Sequence, residues 1–160
     1  MSYQTLTLET DNHVATITLN RPEMMNAFSE QLIWDMGEAT KAVKDDPQIR
    51  ILVITGEGRG FTAGADLSER DASWTDTKDA LERGYYPFIK NIIDMPKPVI
   101  GSINGAAAGI GAAVAMACDL RIMAKEAYIM SVFSNIALVP DGGLSFLLTR
   151  EIGYSRALEY

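Results

Sequence analysis

Cysteine and histidine are nearly absent from this 160-residue sequence, and each shortage excludes a class of chemistry. Cys118 is the only cysteine, which excludes an intrachain disulfide and a multi-cysteine metal site and favours a reducing, cytoplasmic compartment. His13 is the only histidine and lies in the polar turn Asp11-Asn12-His13. We therefore predict a solvated turn residue there, with no histidine-rich metal site and no Ser-His-Asp triad.

Basic residues are also in short supply. The chain has 14 lysines and arginines against 21 aspartates and glutamates, so its formal net charge is −7. This balance argues against a nucleic-acid binder, which needs a dominant basic surface. It leaves room for an anionic ligand, because a few backbone amides and cations can hold a phosphate locally.

No secretory signal is recognisable at the N-terminus, where basic and apolar regions are lacking. Residues 98–118 carry no charge and are long enough to span a bilayer. They are rich in Ala and Gly and begin with β-branched residues, which favours a buried strand leading into a buried helix. We therefore predict no membrane association and one globular domain over residues 1–160, since 48% hydrophobic and 22% charged residues are ordinary globular usage.

Short strand patterns alternate with helical ones, which predicts a layered α/β fold. Two segments with period-two alternation predict a β-hairpin at residues 5–8 and 14–19. Further strands are predicted at residues 51–55, 98–103 and 120–123, the first of them buried on both faces because its residues are apolar throughout. Helices are predicted from an N-cap at Ser29 to about Asp46, and at residues 77–94, 109–117 and 144–150. Gly84 and Pro87 are expected to interrupt the helix at 77–94, and a helical pattern begins again at 155–160.

Three loops carry residues suited to chemistry. Residues 60–67 place small side chains after a buried strand, where backbone can approach a ligand closely, although a turn capped by Asp66 explains them equally well. Residues 104–112 open a helix with glycines, so unpaired N–H groups and a positive dipole end can stabilise an oxyanion. A dinucleotide fingerprint is the rival there, but Val114 occupies its third glycine position. In residues 138–143, Asp141 is either a helix cap or an acid/base group.

Together these segments resemble the enoyl-CoA hydratase/isomerase (crotonase) superfamily. Residues 20–27 are similar to its N-terminal motif, 61–67 to its Ala-Gly-Ala-Asp loop, 104–111 to its second oxyanion-hole segment, and 133–143 to a region where many members place catalytic carboxylates. The resemblance implies the ClpP/crotonase fold, a spiral of ββα turns followed by a helical C-terminal part that builds trimers. That C-terminal part is expected to be missing from this chain, so a homotrimer or hexamer is expected only of a full-length protein.

The resemblance also assigns site residues. It implies that the N–H groups of Ala65 and Ile110 form the oxyanion hole, with an isoleucine side chain where most relatives have glycine. A wider acyl-CoA site is implied at Met24, Met25, Ala27, Ala63, Gly64, Ala65, Asp66, Leu67, Gly109 and Ile110. No metal is expected, and no separate cofactor, since coenzyme A is part of the substrate.

The expected reaction depends on which carboxylates are present. The two glutamates that hydratases of the family use are matched here by Ala113 and Phe133, which cannot transfer a proton. Asp141 matches the aspartate used as a base by dienoyl-CoA isomerases and some bacterial enoyl-CoA isomerases. An apolar surround from Phe133, Ile136 and Val139 is expected to raise its pKa. The favoured function is enoyl-CoA isomerisation; enoyl-CoA hydration and non-catalytic CoA binding or assembly are the alternatives.

Overall fold

The computed structural model describes residues 2–69 and 73–160, and it confirms the α/β architecture. The predicted domain boundaries of 1–160 include residues 1 and 70–72, which lie outside the described residues. The strands are β1 (Leu6–Asp11), β2 (Val14–Leu19), β3 (Ile51–Gly56), β4 (Val99–Ile103), β5 (Ala106–Ala108), β6 (Leu120–Met123) and β7 (Tyr128–Met130). The helices are α1 (Glu30–Asp45), α2 (Thr77–Asp79), α3 (Tyr86–Ile93), α4 (Ile110–Ala117), α5 (Leu144–Ile152) and α6 (Tyr154–Ala157), with 3-10 turns at Pro22–Met24 and Phe133–Ile136 and a π-helix at Ala80–Tyr85.

A five-stranded sheet in the order β1-β2-β3-β4-β6 forms the main layer. β1 and β2 form the predicted antiparallel hairpin, and the remaining strand pairs are parallel. Along β3, buried Leu52 and Ile54 alternate with half-buried Ile51 and Val53. The prediction that this strand is buried on both faces is therefore wrong. An unbroken apolar sequence does not by itself show that both faces of a strand are fully covered.

A second, shorter layer of parallel pairs runs alongside the main sheet. β5 pairs with β7, and isolated parallel bridges join Thr62 to Ala107 and Phe28 to Ala65. Successive turns of the chain thus contribute a long strand, a short extended segment and a helix, which is the ββα spiral that the resemblance implied. The short segments escape the sequence patterns because two or three residues are too few to show a period.

The helical region at 77–94 is continuous, so the predicted interruption at Gly84 and Pro87 is wrong. It runs from α2 through the π-helix into α3, and the wider π turn ends just before the proline. A proline inside an α-helix clashes with the carbonyl one turn earlier. A π turn at that place changes the backbone spacing, which lets the helix continue past the ring.

The uncharged residues 98–118 form β4, β5 and α4, as the strand-then-helix interpretation predicted. Every residue of α4 is buried. In the part of the chain that the structure describes, no helix is long and apolar enough to cross a lipid bilayer.

Asn26 connects the loop after β2 to the loop after β3. Its side chain is fully buried, and Nδ2 donates to the carbonyl oxygens of Glu57 and Gly60, both at 2.9 Å. Its Oδ1 accepts from the N–H of Arg21 at 2.9 Å, and its own carbonyl accepts from the hydroxyl of Thr62 at 2.7 Å. Its φ of +54° lies in the left-handed region, which asparagine tolerates better than most residues. One side chain thus holds the start of the 61–67 loop in place.

Asn26→Ala should lower the free energy of unfolding by roughly 2–3 kcal/mol, because it strands buried backbone groups without partners. The measurement is urea denaturation. Asn12→Ala is the matched control, since Asn12 has a similar φ of +46° but is exposed, and its side chain donates a hydrogen bond to the neighbouring Asp11. Equal losses in the two variants would show that backbone conformation, and not the buried hydrogen bonds, accounts for the effect.

Candidate active site

Two neighbouring parallel segments bring the amides of Ala65 and Ile110 to the same level. The N–H of Thr62 donates to the Ala106 carbonyl at 2.9 Å, and the N–H of Ala108 donates to the Thr62 carbonyl at 3.0 Å. The bridge pairs residue 62 with residue 107, and Ala65 and Ile110 each follow three residues later on their own segment. The segments remain adjacent there, because a Cβ added to Gly109 would lie 3.9 Å from the Cα of Gly64.

The N–H groups of Ala65 and Ile110 donate to no acceptor among the described residues. The amides around them are satisfied: that of Asp66 donates to the Phe28 carbonyl at 3.1 Å, and that of Gly109 to the Met130 carbonyl at 3.1 Å. Ile110 is the first residue of α4, where an amide has no partner within the helix. Both residues line one cavity of about 90 Å³. Unpaired donors of this kind are suited to an oxygen that gains negative charge.

Glycine is required beside each of these amides. Gly64 has a φ of +100°, and a Cβ there would lie 2.9 Å from the carbonyl oxygen of Ala108. Gly109 has a φ of +55° and precedes α4 directly. A side chain at either position would strain the backbone or push the two segments apart.

Asp141 lines the same small cavity. Its Oδ1 is buried and, within the described residues, has no hydrogen-bond partner. Burial raises the pKa of this carboxyl from the ordinary 3.8 to about 6, because the charged form loses its water. Phe133 and Ile136 line the cavity with it, as predicted. Val139 is 82% exposed and does not, so its predicted place in the apolar surround is wrong: its side chain faces solvent.

Asp141 does not cap the helix that follows it. The N-cap of α5 is Gly143, and no side chain caps that end. The main-chain carbonyl of Asp141 accepts from the N–H of Leu144 at 2.9 Å, while the carboxyl lies in the cavity wall. The cap alternative is therefore wrong, because the two glycines after Asp141 set the helix start beyond the reach of its carboxyl.

The two positions that match the hydratase glutamates are apolar and enclosed. Phe133 forms part of the cavity wall, and Ala113 is fully buried on α4. A Cβ added to Gly142 would lie 2.9 Å from the Cβ of Ala113 and 2.4 Å from Cδ1 of Ile110. The segment that carries Asp141 therefore packs directly against the start of α4, and the Ile110 side chain lies between the two.

The predicted binding residues divide into two groups. Those that line the small cavity with Ala65 and Ile110 are Ala63, Gly64, Leu67 and Gly109. The other group, outside its lining, comprises Met24, Met25, Ala27 and Asp66.

This second group lies around Arg21 and the 3-10 turn. Arg21 pairs with the Asp66 carboxylate at 3.0 Å and donates to the Ala27 carbonyl at 2.6 Å. Hydrogen bonds from Ser68, together with Arg21, hold the pKa of Asp66 below its usual value. The Ser68 bonds show that Asp66 caps a turn. Met24 is 39% exposed at the end of the 3-10 turn.

A larger cavity of about 360 Å³ lies next to Asp141. Its wall comes mainly from the π-helix and α3 and includes Leu81, Tyr85, Ile89 and Ile93. Asp141 is part of the wall of both cavities. Sequence reasoning did not single out Tyr85, because an aromatic residue on a helix at this spacing has the pattern of an ordinary core residue.

Asp141→Asn should stabilise the protein above pH 6 and have little effect near pH 3.8. The folded carboxyl keeps its proton up to about pH 6 and the unfolded one loses it near 3.8, so stability falls as pH rises between these values. Asparagine lacks that penalty. Melting temperatures measured at both ends of the range test this, with Asp11→Asn, in the exposed β1–β2 turn, as the control for losing one negative charge. A variant destabilised more above pH 6 than near pH 3.8 would mean that the carboxylate has a favourable partner in the folded state.

Comparison with known proteins indicates one family. The enoyl-CoA hydratase/isomerase family model matches residues 9–160. The chain is 42% identical to a 1,2-epoxyphenylacetyl-CoA isomerase of Escherichia coli K12, covering 91% of this chain and 57% of that protein, and 36% identical to a trans-2-decenoyl-acyl-carrier-protein isomerase of Streptococcus mutans, covering 99% and 62%. The crystal structure of an enoyl-CoA hydratase from Bacillus anthracis superposes with a TM-score of 0.91 at 31% identity, covering 98% of this chain and 61% of that one. The chain thus spans about three fifths of the length of these relatives, and it belongs to the enoyl-CoA hydratase/isomerase family.

Proposed function

We propose that this chain isomerises unsaturated acyl-CoA thioesters by moving a carbon–carbon double bond. The N–H groups of Ala65 and Ile110 hold the thioester oxygen, and Asp141 transfers the proton. One observation carries the proposal: a buried carboxyl without a hydrogen-bond partner among the described residues lines the same cavity as two unpaired backbone donors.

The reaction needs only one acid/base group. The Asp141 carboxylate takes a proton from the carbon between the thioester and the double bond of a 3-enoyl-CoA. The electron pair of that C–H bond moves toward the thioester, which becomes a dienolate with its negative charge on oxygen. The same carboxyl then returns the proton to C4, and the double bond stands between C2 and C3. No atom is gained or lost, so no water or second substrate enters the balance.

The position of Asp141 in the wall of both cavities suits this sequence. A carbonyl oxygen at the Ala65 and Ile110 amides places the acyl chain on the side of the larger, mainly apolar cavity. The reacting carbons then lie at the junction that Asp141 occupies. A carboxyl with a pKa near 6 is ionised at neutral pH and still returns its proton readily.

The residues at positions 113 and 133, Ala113 and Phe133, favour isomerisation over water addition. Alanine and phenylalanine there offer no group to activate or deliver a water molecule. Among the relatives named above, the trans-2-decenoyl-acyl-carrier-protein isomerase is by its name an isomerase of an unsaturated acyl thioester, whereas the Bacillus anthracis protein is a hydratase. Coenzyme A is part of the substrate, so the proposal includes no separate cofactor.

The remaining site assignments belong to the same proposal. Met24, Met25, Ala27 and Asp66, which lie outside the small cavity, are proposed to border the adenine and pantetheine portion of CoA. A homotrimer or hexamer of a full-length protein and a cytoplasmic location stay predictions.

Asp141→Asn should reduce isomerisation of 3-hexenoyl-CoA below detection and leave CoA thioester binding within a few-fold, because the proton acceptor is lost and the two amides remain. The measurements are the rise of conjugated 2-enoyl absorbance and calorimetric titration with hexanoyl-CoA. In the unsubstituted chain, kcat/KM should rise with pH and level off above about 6, since the base must be ionised.

Asp11→Asn again serves as the control and should keep the rate of the unsubstituted chain. A full isomerase rate in Asp141→Asn would remove Asp141 from the mechanism. Binding without turnover in the unsubstituted chain would favour the non-catalytic alternative. Loss of conjugated absorbance from 2-hexenoyl-CoA in water would favour the hydratase.

Ile110→Pro tests the oxyanion donor directly. Proline is well accepted at the first position of a helix, and it lacks the N–H while keeping the backbone of the segment. Losing one such donor should lower kcat about 100- to 1,000-fold. Ile110→Ala removes the same side chain and keeps the N–H, so it should retain most of the activity. Equal loss in the two variants, with unchanged melting temperatures, would show that the side chain matters and the amide does not.

A further inference from the structure

The lining of the larger cavity includes Tyr85, whose polar group the proposed mechanism does not use. Tyr85 lies at the end of the π-helix, is only 9% exposed, and lines this mainly apolar cavity together with Asp141. Its hydroxyl makes no hydrogen bond to any of the residues that the structure describes. The hydroxyl is therefore available to donate to a ligand in the cavity.

The ring of Tyr85 is held firmly. It packs edge-on against Phe28, with ring centroids 6.4 Å apart, and against Phe88, with centroids 6.1 Å apart. The backbone of Phe28 in turn bridges to Ala65, whose amide lines the small cavity. The preceding residue in the π-helix, Gly84, lies so close to α1 that an added Cβ would come within 3.1 Å of the Ile33 side chain. The hydroxyl is therefore fixed relative to the amides that hold the thioester.

The Tyr85 hydroxyl is protonated and can donate a hydrogen bond. Burial first, and the Asp141 carboxylate second, raise the pKa of the phenol above its ordinary value of 10.0. The group therefore keeps its proton at neutral pH. The Tyr85 hydroxyl donor and the mainly apolar wall of the larger cavity together suit an acyl chain that is apolar except for one acceptor oxygen.

We propose that Tyr85 is a specificity-determining residue whose hydroxyl donates a hydrogen bond to an oxygen atom on the acyl chain, so that the preferred substrates are oxygen-substituted unsaturated acyl-CoA thioesters. This inference rests on the proposed function, in which the acyl chain extends from the Ala65 and Ile110 amides toward the larger cavity. The oxygen belongs to a hydroxyl, ether or carbonyl group beyond the reacting carbons. The acyl chain lies in the larger cavity between the Asp141 carboxyl and the Tyr85 ring.

The test compares probes that differ by one oxygen. Calorimetry measures the binding of heptanoyl-CoA, 6-hydroxyheptanoyl-CoA and 7-hydroxyheptanoyl-CoA. The kcat/KM values are measured with the matching 3-heptenoyl-CoAs as substrates. The unsubstituted chain should prefer at least one hydroxylated probe by about five- to tenfold, and Tyr85→Phe should bring that ratio close to one. Tyr128→Phe, which removes a hydroxyl from a half-exposed ring on β7, should keep the preference.

The outcomes separate this inference from the proposed function. If binding shows the preference and no probe is isomerised, the reaction fails and the role of Tyr85 stands. If the unsubstituted chain binds all three saturated probes equally, the role of Tyr85 fails whatever the turnover. A ratio unchanged in Tyr85→Phe also overturns it. Should the variant fold poorly, the absence of any preference in the unsubstituted chain still overturns the role of Tyr85.

Discussion

Two backbone hydrogen bonds between Thr62 and the 106–108 strand set the level at which the loops of the site meet. Because the pairing is parallel, residues equally far along both segments come side by side, and this brings the Ala65 and Ile110 amides to one cavity. A shift of one residue would separate them. The geometry of the donors therefore depends on a register that main-chain atoms alone determine.

The loop after β2 supports this arrangement without entering the small cavity. Asn26 holds the start of the 61–67 loop, and Arg21 reaches its far end through Asp66. The loop is thus tied at both sides of Ala65. An ion pair in which both side chains are largely buried restrains geometry more effectively than it contributes to stability.

Residues that form regular patterns were predictable from the sequence, and residues that act through tertiary contacts were not. Ser29 was identified as the cap of α1, and its hydroxyl does accept from the Leu32 amide, because capping is local. The sequence allows Asp141 to be a helix cap or an acid/base group, and only the folded structure shows that it does not cap α5. The prediction of the Ala65 and Ile110 amides rested on a family resemblance. Their common cavity depends on the pairing of Thr62 with Ala107, which are 45 residues apart in sequence. Tyr85 gave no signal, because a helical core pattern does not reveal which core residue also borders a cavity.

The unpaired donors of this site belong to the main chain, whereas its proposed acid/base group is a side chain. Every residue except proline presents the same N–H, so substitutions at 65 and 110 that respect the backbone leave the affinity for an electron-rich oxygen in place. A carboxyl, by contrast, is gained or lost by a single codon. A scaffold built in this way keeps its ligand while its chemistry changes. One framework can therefore support different reactions, because mutation can replace the side-chain carboxyl but leaves the backbone amides in place.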